Sequence, residues 1–230
     1  ADYCAGVVEA AACVPFEAYA KTENSTDYQP ILKFGPTMFD FIGKDDKSEY
    51  FREGREAATL GAAAFAAKGV SNPLTVAMRA LRNAWRGPVS VARESDGQAY
   101  FAGVMRDIPS GALPHVDDAR TETPEMAIGG VVAQASMLFY AMAAKSGGAL
   151  RVYDKRPTAR DYRDNVLGYG FTADAVHNVS FRGITPGVGT VALFPTTQIH
   201  SVDPVTGEGR RVTWSTFIGL RGDGSLVLWS

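Results

Sequence analysis

Long apolar runs and an excess of basic residues are both missing from this sequence. No window approaches the roughly 18 apolar residues that a membrane span requires, so we expect no membrane partner. The formal net charge is -2 and the pI is near 6.0. These values offer no broad basic surface, so we expect no nucleic-acid partner. A small-molecule partner is the expectation that remains, and the oligomeric state is left open.

Cysteine is also scarce. Cys4 and Cys13 are the two cysteines of the chain, and their spacing suits neither a zinc knuckle nor a disulfide framework, so we expect reduced thiols. Neither a charged segment leading into an apolar one nor an A-x-A cleavage site precedes them. We therefore expect a cytoplasmic location.

The length and composition suit one globular domain. With 230 residues, of which 46% are hydrophobic, the chain can bury a continuous core. We predict a single domain over residues 1–230, in which a mainly helical scaffold, residues 1–88, packs on a core formed by residues 89–230. Within the scaffold, Met38, Phe39 and Phe41 could wall a pocket, although ordinary core is the favoured interpretation.

Two helices are predicted in the scaffold. Residues 48–68 are rich in Ala and Glu and end at Gly69, a residue typical of helix C-termini. Asn72 and Pro73 then suit the N-cap and first turn of a second helix, which Gly87-Pro88 ends.

After Gly87 the sequence changes to short β-prone runs separated by turn residues. The runs are VSVARES, AYFAGVM, GVVAQASMLFYAMA, ALRVYDK, HNVSFRGI, TVALFP, RVTWSTFIGL and SLVLWS. Pairs such as Gly147-Gly148 and Asp223-Gly224 mark tight turns. The fold class predicted is mainly β with N-terminal helices, a jelly roll of the kind found in cupins. Residues 155–176 break this rhythm, and they form either a surface excursion or a lid over a pocket.

A metal site is predicted around the segment LPHVDDAR. In extended backbone, His115 and Asp117 project to the same face, so both can reach one ion. His200, which follows TVALFP, offers a second imidazole. Two histidines and one carboxylate leave positions open, as in non-haem iron(II) oxygenases. His177 is the rival third ligand, but a surface or strand-edge role is favoured for it.

The residues after His200 strengthen this hypothesis. 2-Oxoglutarate chelates iron through its 1-carboxylate and 2-oxo group, so its distal carboxylate needs a cation further away, for which arginine is well suited. On the strand RRVTWSTF, Arg211 and Thr213 share one face, and Thr213 can add a hydroxyl donor. Arg210 projects to the other face, although a bulge could exchange the two arginines.

From about Gly103 to Ser230 the chain resembles the iron(II)/2-oxoglutarate-dependent oxygenases. The resemblance is carried by HVDD, SGGALRVYDK, TPGVGTVALFP, IHSVDPVTGEG and RRVTWSTFIG. It is most similar to the branch that contains the welwitindolinone-type alkaloid halogenases and related bacterial hydroxylases. The resemblance implies a double-stranded β-helix, with Fe(II), 2-oxoglutarate and O2 as cofactor and co-substrates. It also implies that His115, Asp117 and His200 are the catalytic iron ligands, and that Arg211 and Thr213 bind 2-oxoglutarate.

One departure from the branch bears on the reaction. Its halogenases have a small residue where Asp117 stands, which opens a position for chloride. The resemblance therefore implies hydroxylation of an unactivated C–H bond in a small metabolite, with decarboxylation of 2-oxoglutarate to succinate and CO2. Desaturation or cyclisation are variants, and the substrate can be amino-acid-derived, alkaloid or nucleoside-like.

Two alternatives remain open at this point. One is a cupin-type metalloenzyme that does not use 2-oxoglutarate, which would tolerate Arg211→Ala. The other is a non-catalytic jelly-roll binding module, which would give no visible absorption band with Fe(II) and 2-oxoglutarate.

Overall fold

The computed structural model describes residues 2–19 and 31–230. The helices described are α1 (Asp2–Ala11), α2 (Ser48–Ala67), α3 (Pro73–Ala84), α4 (Ala119–Glu122) and α5 (Ala159–Asp164), with 3₁₀ turns at Met38–Phe41, Ala127–Gly130 and Ala173–Val176. The strands described are β1 (Glu17–Ala18), β2 (Leu32–Phe34), β3 (Val89–Val91), β4 (Val104–Asp107), β5 (Ala112–His115), β6 (Ala133–Met142), β7 (Leu150–Tyr153), β8 (Val166–Leu167), β9 (Gly170–Phe171), β10 (Phe181–Ile184), β11 (Val191–Pro195), β12 (His200–Val202), β13 (Val212–Leu220) and β14 (Leu226–Trp229).

Both helices predicted in the scaffold are confirmed. Helix α2 ends at Ala67, and Gly69 follows it with a positive φ of 64°. Helix α3 begins at Pro73, whose missing N–H costs nothing in a first turn. The side chain of Asn72 accepts a hydrogen bond from the Leu74 N–H at 2.9 Å and so caps the helix.

The larger sheet has eight strands and is organised around β13. One edge of β13 pairs with β6, which in turn pairs with β11. The other edge pairs with β4 and then with β14. Strands β1 and β2 extend the sheet beyond β4, and β3 joins β14 in parallel, whereas the other pairs described are antiparallel. The N-terminal segment thus contributes strands as well as helices.

The smaller sheet has the order β10-β7-β12-β5 and faces the larger one. Apolar side chains from both sheets meet between them, and burying each contributes about 1.5–3 kcal/mol. They are Leu138, Tyr140, Leu150, Val152, Phe194 and Val202. This sheet-on-sheet arrangement is a jelly roll, or double-stranded β-helix, and it confirms the predicted fold class.

Helices cover the outer face of the larger sheet. Val7 of α1 and Phe65 of α2 share a buried cluster with Met105, Phe139 and Trp214 of the sheet. The inner face is thereby left free to form the space between the sheets. The division of one domain at residue 88 stays a prediction. Within the part of the chain described, no helix has the length and apolar character that crossing a bilayer requires.

Candidate active site

Two histidines meet on the smaller sheet. His115 ends β5 and His200 begins β12, and the two are register partners in this antiparallel pair. Their ring centroids lie 4.2 Å apart. Asp117 follows two residues after His115, and its Oδ2 lies 3.8 Å from Nε2 of His115 and 3.2 Å from Nε2 of His200. One ligand atom from each of the three side chains lies within 4.8 Å of the others, so the cluster could hold a single metal ion.

Backbone carbonyls orient both imidazoles. Nδ1 of His115 lies 2.7 Å from the Leu113 carbonyl, and Nδ1 of His200 lies 3.1 Å from the Gln198 carbonyl. A proton on each Nδ1 satisfies these contacts and leaves the lone pair on Nε2, the atom that faces Asp117. Outer hydrogen bonds of this kind are what orient histidines that bind metals.

The protonation of the cluster also suits a cation. Burial, together with the charge of His200, lowers the pKa of His115 to about 4. Burial tends to raise the pKa of Asp117, but the polar interactions with the adjacent His200 and His115 side chains outweigh burial and lower that pKa to about 2. At neutral pH, His115 is therefore a neutral imidazole and Asp117 a carboxylate, the forms in which these residues bind metals.

The backbone of Asp117 is held by two polar residues that the sequence interpretation missed. Its N–H donates to the Thr196 carbonyl at 3.0 Å. Its carbonyl accepts from Thr196 Oγ1 at 2.8 Å and from Gln134 Nε2 at 3.1 Å. The neighbouring Asp118 instead binds the Arg120 guanidinium and caps α4. Of the two adjacent acids, Asp117 is the one directed at the histidines.

Arg211 lies immediately before β13 and is almost fully buried, with 1% of its surface exposed. Its Nε donates to the Gly148 carbonyl at 3.0 Å, and the Tyr140 ring lies 5.1 Å from the guanidinium carbon. Burial lowers the pKa of the guanidinium. Among the described residues, neither terminal nitrogen has a hydrogen-bond partner. A buried cation with free donors is costly, and a carboxylate ligand fits it well.

The other two residues of this strand take different positions. Arg210 is largely exposed and pairs with Asp107, with Nε 2.7 Å from Oδ2. Arg211 lines the cavity between the sheets and Arg210 does not, and the role of Arg211 toward 2-oxoglutarate stays a prediction. Thr213 is fully buried, and its hydroxyl donates to the Arg106 carbonyl at 3.5 Å. Its role toward 2-oxoglutarate stays a prediction.

A cavity of about 170 Å³ joins these groups. The His115, Asp117, His200 and Arg211 side chains all line it, together with apolar residues of both sheets. The expectation of ordinary core is confirmed for Phe41 and for Met38, although Met38 also lines the cavity. It is wrong for Phe39, which is only partly buried and lines the cavity. The sequence missed this because the 3₁₀ turn that carries these residues has no pattern that marks one side as a pocket wall.

Residues 155–176 reach the cavity through one side chain. The excursion forms α5, the β8–β9 hairpin and a 3₁₀ turn. The Tyr169 hydroxyl accepts from the Leu113 N–H at 2.8 Å, and its ring centroid lies 5.7 Å from that of His115. The excursion therefore covers one side of the site, and its movement as a lid stays a prediction. His177, just beyond it, is exposed and lies outside the cluster.

Comparison with known proteins decides the family. The model of the family described as "Carrier-protein-independent halogenase WelO5" matches residues 16–230. This chain belongs to the WelO5 family. Membership and the His-Asp-His cluster together make it an oxygenase that uses Fe(II), 2-oxoglutarate and O2, as the sequence resemblance implies.

Two relatives of this WelO5-family chain have names that do not describe a halogenase. The L-gamma-glutamyl-L-propargylglycine hydroxylase of Streptantibioticus cattleyicolor is 28% identical over 212 residues, which are 88% of this chain and 75% of the relative. The leucinostatins biosynthesis cluster protein S of Purpureocillium lilacinum is 32% identical over 153 residues, which are 62% of this chain and 63% of that protein.

A solved structure supports the fold of this WelO5-family chain. The N-substituted L-amino acid dioxygenase of Burkholderia ambifaria, in complex with alpha-KG, superposes with a TM-score of 0.57 at 14% identity. The match covers 85% of this chain and 77% of the dioxygenase. At this identity the likeness establishes the shared jelly roll.

Proposed function

We propose that this oxygenase hydroxylates an unactivated C–H bond of a small metabolite, with His115, Asp117 and His200 as its iron ligands. In the proposed site, Arg211 pairs with the distal carboxylate of 2-oxoglutarate, and Thr213 supports it. The overall reaction converts C–H, O2 and 2-oxoglutarate into C–OH, succinate and CO2, so that one oxygen atom enters each oxidised product.

The observation that carries hydroxylation over halogenation is the carboxylate of Asp117. It sits between the two imidazoles, with Oδ2 within 3.2 Å and 3.8 Å of their Nε2 atoms. Halogenases that resemble this chain have a small residue here, which leaves room for a halide on the metal. In this chain the Asp117 carboxylate would take that position. The hydroxylase relative supports the same interpretation.

The residues present fit both the metal and the keto acid. Two imidazole nitrogens and one carboxylate oxygen are a ligand set suited to ferrous iron. Among the described residues, the two terminal nitrogens of Arg211 have no hydrogen-bond partner. Their spacing matches the two oxygens of a carboxylate. When bound, iron would activate O2 with electrons from 2-oxoglutarate, and O2 so activated would oxidise the C–H bond.

The protein's own residues hold the proposed iron ligands in place and shield the cavity from water. Leu113 and Gln198 carbonyls fix the imidazoles, and Thr196 and Gln134 fix the Asp117 backbone, so the ligands are preorganised. Apolar side chains such as Leu138 and Phe194 line the cavity and limit water. Which C–H bond is attacked follows from how this cavity positions the substrate.

A turnover assay tests the proposal. The Fe(II)-loaded enzyme is incubated with 2-oxoglutarate and a panel of amino acids, small peptides, alkaloids and nucleosides, in buffers with sodium chloride, with sodium bromide and without halide. We expect succinate to form and a product 16 Da heavier, shifted by a further 2 Da under ¹⁸O₂, in all three buffers. A product with a chlorine or bromine isotope pattern would assign halogenation instead. Absence of 2-oxoglutarate consumption with every compound would reject the proposal.

A further inference from the structure

Arg106 brings a second guanidinium to the cavity. It lies on β4 and lines the same cavity as Asp117, His200 and Arg211. Strand β4 pairs with β13, so Arg106 is the register partner of Thr213, two residues from Arg211. It is also near enough to contribute to the pKa of His115 and Asp117. A positive charge therefore lies beside the candidate iron site, separate from Arg211.

The described partners of the Arg106 side chain are neutral. Its Nε donates to the Tyr19 hydroxyl at 2.6 Å, and Nη1 donates to the Ser215 hydroxyl. The Tyr19 ring centroid lies 5.8 Å from the guanidinium carbon. Among the described residues no carboxylate lies within ion-pair distance of Arg106. Two hydroxyls fix its orientation without neutralising it.

Neighbouring cations on the same sheet are neutralised. Lys33, the register partner of Arg106 on β2, is buried and lies 2.7 Å from Glu17 and 3.4 Å from Asp40. Arg210 pairs with Asp107, which follows Arg106 in sequence but projects to the other face of β4. The chain thus provides carboxylates for the cations on either side of Arg106. Among the described residues Arg106 has no such carboxylate, and because it faces the cavity we infer that a ligand supplies the negative charge.

The proposed cofactors do not use this charge. Ferrous iron would carry two positive charges, which Asp117 and one carboxylate of 2-oxoglutarate would balance. Arg211 would balance the other carboxylate of 2-oxoglutarate. Glu122 is the other acidic side chain that lines the cavity, and no ion pair joins it to Arg106 among the residues described. Within the part of the chain that the structure describes, Arg106 therefore remains available to pair with an anion that enters with the substrate.

We propose that Arg106 is a substrate-binding residue that recognises a carboxylate, and that the substrate is a small carboxylic acid, a class that includes amino acids, N-substituted amino acids and small peptides. This inference rests on the proposed function, because it assigns the substrate of that same site. The planar guanidinium, held through Nε by Tyr19 and through Nη1 by Ser215, offers its remaining N–H groups to a carboxylate in the cavity. Such a contact fixes one end of the substrate relative to the metal.

A binding experiment tests the inference. The probes are L-amino acids, their N-acetyl derivatives and γ-glutamyl dipeptides, each paired with its primary amide. Each probe is titrated anaerobically into the enzyme loaded with Fe(II) and 2-oxoglutarate, and the change in the visible metal-to-ligand charge-transfer band is recorded. The variants are Arg106→Gln, Arg106→Lys, Arg211→Gln, and Arg210→Gln as the control arginine outside the cavity.

We expect acids to perturb the band of the wild-type enzyme at concentrations at least tenfold lower than their amides. In Arg106→Gln, the concentration of acid needed should rise at least tenfold, as expected for loss of a charge-assisted contact. In Arg106→Lys the required concentration of acid should rise less, and in Arg210→Gln it should equal that of the wild type. The concentration of 2-oxoglutarate that forms the band should stay within about twofold in Arg106→Gln and rise in Arg211→Gln.

Three results would overturn the inference while leaving the proposed function intact. The first is an equal response of the band to acids and to their amides, and the second is no response to any acid. The third is a loss of 2-oxoglutarate binding in Arg106→Gln as large as in Arg211→Gln, which would place Arg106 in the co-substrate site. If the wild-type enzyme forms no band with Fe(II) and 2-oxoglutarate, the proposed function itself fails. If Arg106→Gln does not fold, two measurements still test the inference. They are the comparison of acids with amides on the wild-type enzyme and the response of Arg106→Lys to the acids.

Discussion

Gly148, which lies just before β7, and Arg211, which lies just before β13, are in direct contact. The Gly148 carbonyl accepts the Nε–H of Arg211 at 3.0 Å. A Cβ added to Gly148 would lie 2.9 Å from Cδ of Arg211, and the residue has a positive φ of 68°. The Gly-Gly turn predicted from sequence therefore also leaves space for the buried Arg211 side chain.

Gly148→Ala should impair 2-oxoglutarate binding, because the added methyl group displaces the Arg211 side chain. We expect the KM for 2-oxoglutarate to rise about tenfold, in line with one weakened charged contact, and a loss of about 1 kcal/mol in stability from the left-handed backbone. Steady-state kinetics and urea unfolding measure the two effects.

Gly224→Ala is the matched control for that strain. Gly224 has a φ of 82°, but its added Cβ would meet nothing within 4 Å. This variant should lose similar stability and keep the wild-type KM. Equal KM values in both variants would mean that Gly148 does not position Arg211.

Arg211→Lys should raise the KM for 2-oxoglutarate, because a lysine cannot make the two parallel hydrogen bonds of a guanidinium. Loss of one charged hydrogen bond corresponds to about 1.5–3 kcal/mol, so an increase of roughly tenfold to a hundredfold is expected. Arg210→Lys, on the exposed neighbour, should leave KM unchanged. A larger effect at Arg210 than at Arg211 would contradict the assignment.

His200→Ala should abolish iron binding, because it removes one of the three proposed ligands. Loss of an outer-shell partner alone costs about 10–100-fold in metal affinity, so the loss of a ligand should exceed this. Equilibrium dialysis with Fe(II) under anaerobic conditions measures the affinity. His177→Ala, which changes the exposed histidine, should bind iron like the wild type. The proposed ligand set is wrong if the two variants bind iron equally.

Asp161 should make the stability depend on pH. Burial raises its pKa, but the hydrogen bonds from Lys155 and Thr158 outweigh this and lower it from 3.8 to about 2. The folded state therefore favours the carboxylate more than the unfolded state does. The resulting stability is present above about pH 3.8 and is lost as the pH falls toward 2.

The variant Asp161→Asn measures this contribution. It should be less stable than the wild type at pH 7 by about 1–2 kcal/mol, the scale of a lost helix cap, and the difference should shrink between pH 4 and 3. Asp164→Asn on the same helix changes a more exposed acid and should have a small effect at every pH. Chemical unfolding of the three proteins across this range gives the comparison. A difference that persists unchanged down to pH 3 would exclude the carboxylate as its source.

Local patterns in the sequence were sufficient for several features. The helix start at Asn72-Pro73 and the helix end near Gly69 depend on residues within one turn of each other. The shared face of His115 and Asp117 follows from strand geometry over three residues. The fold class followed from the regular spacing of β-prone runs and turns. These features depend on neighbours in the chain, so the sequence alone determined them.

Only the tertiary structure decided which distant residues meet. Antiparallel register places His200 opposite His115 and leaves His177 exposed. Burial distinguishes Arg211 from Arg210. The pairing of β4 with β13 brings Arg106 to the cavity, a position that no local motif marks. The reason is physical: strand pairing and burial are set by contacts between segments far apart in sequence, and those contacts leave no periodic trace in either segment alone.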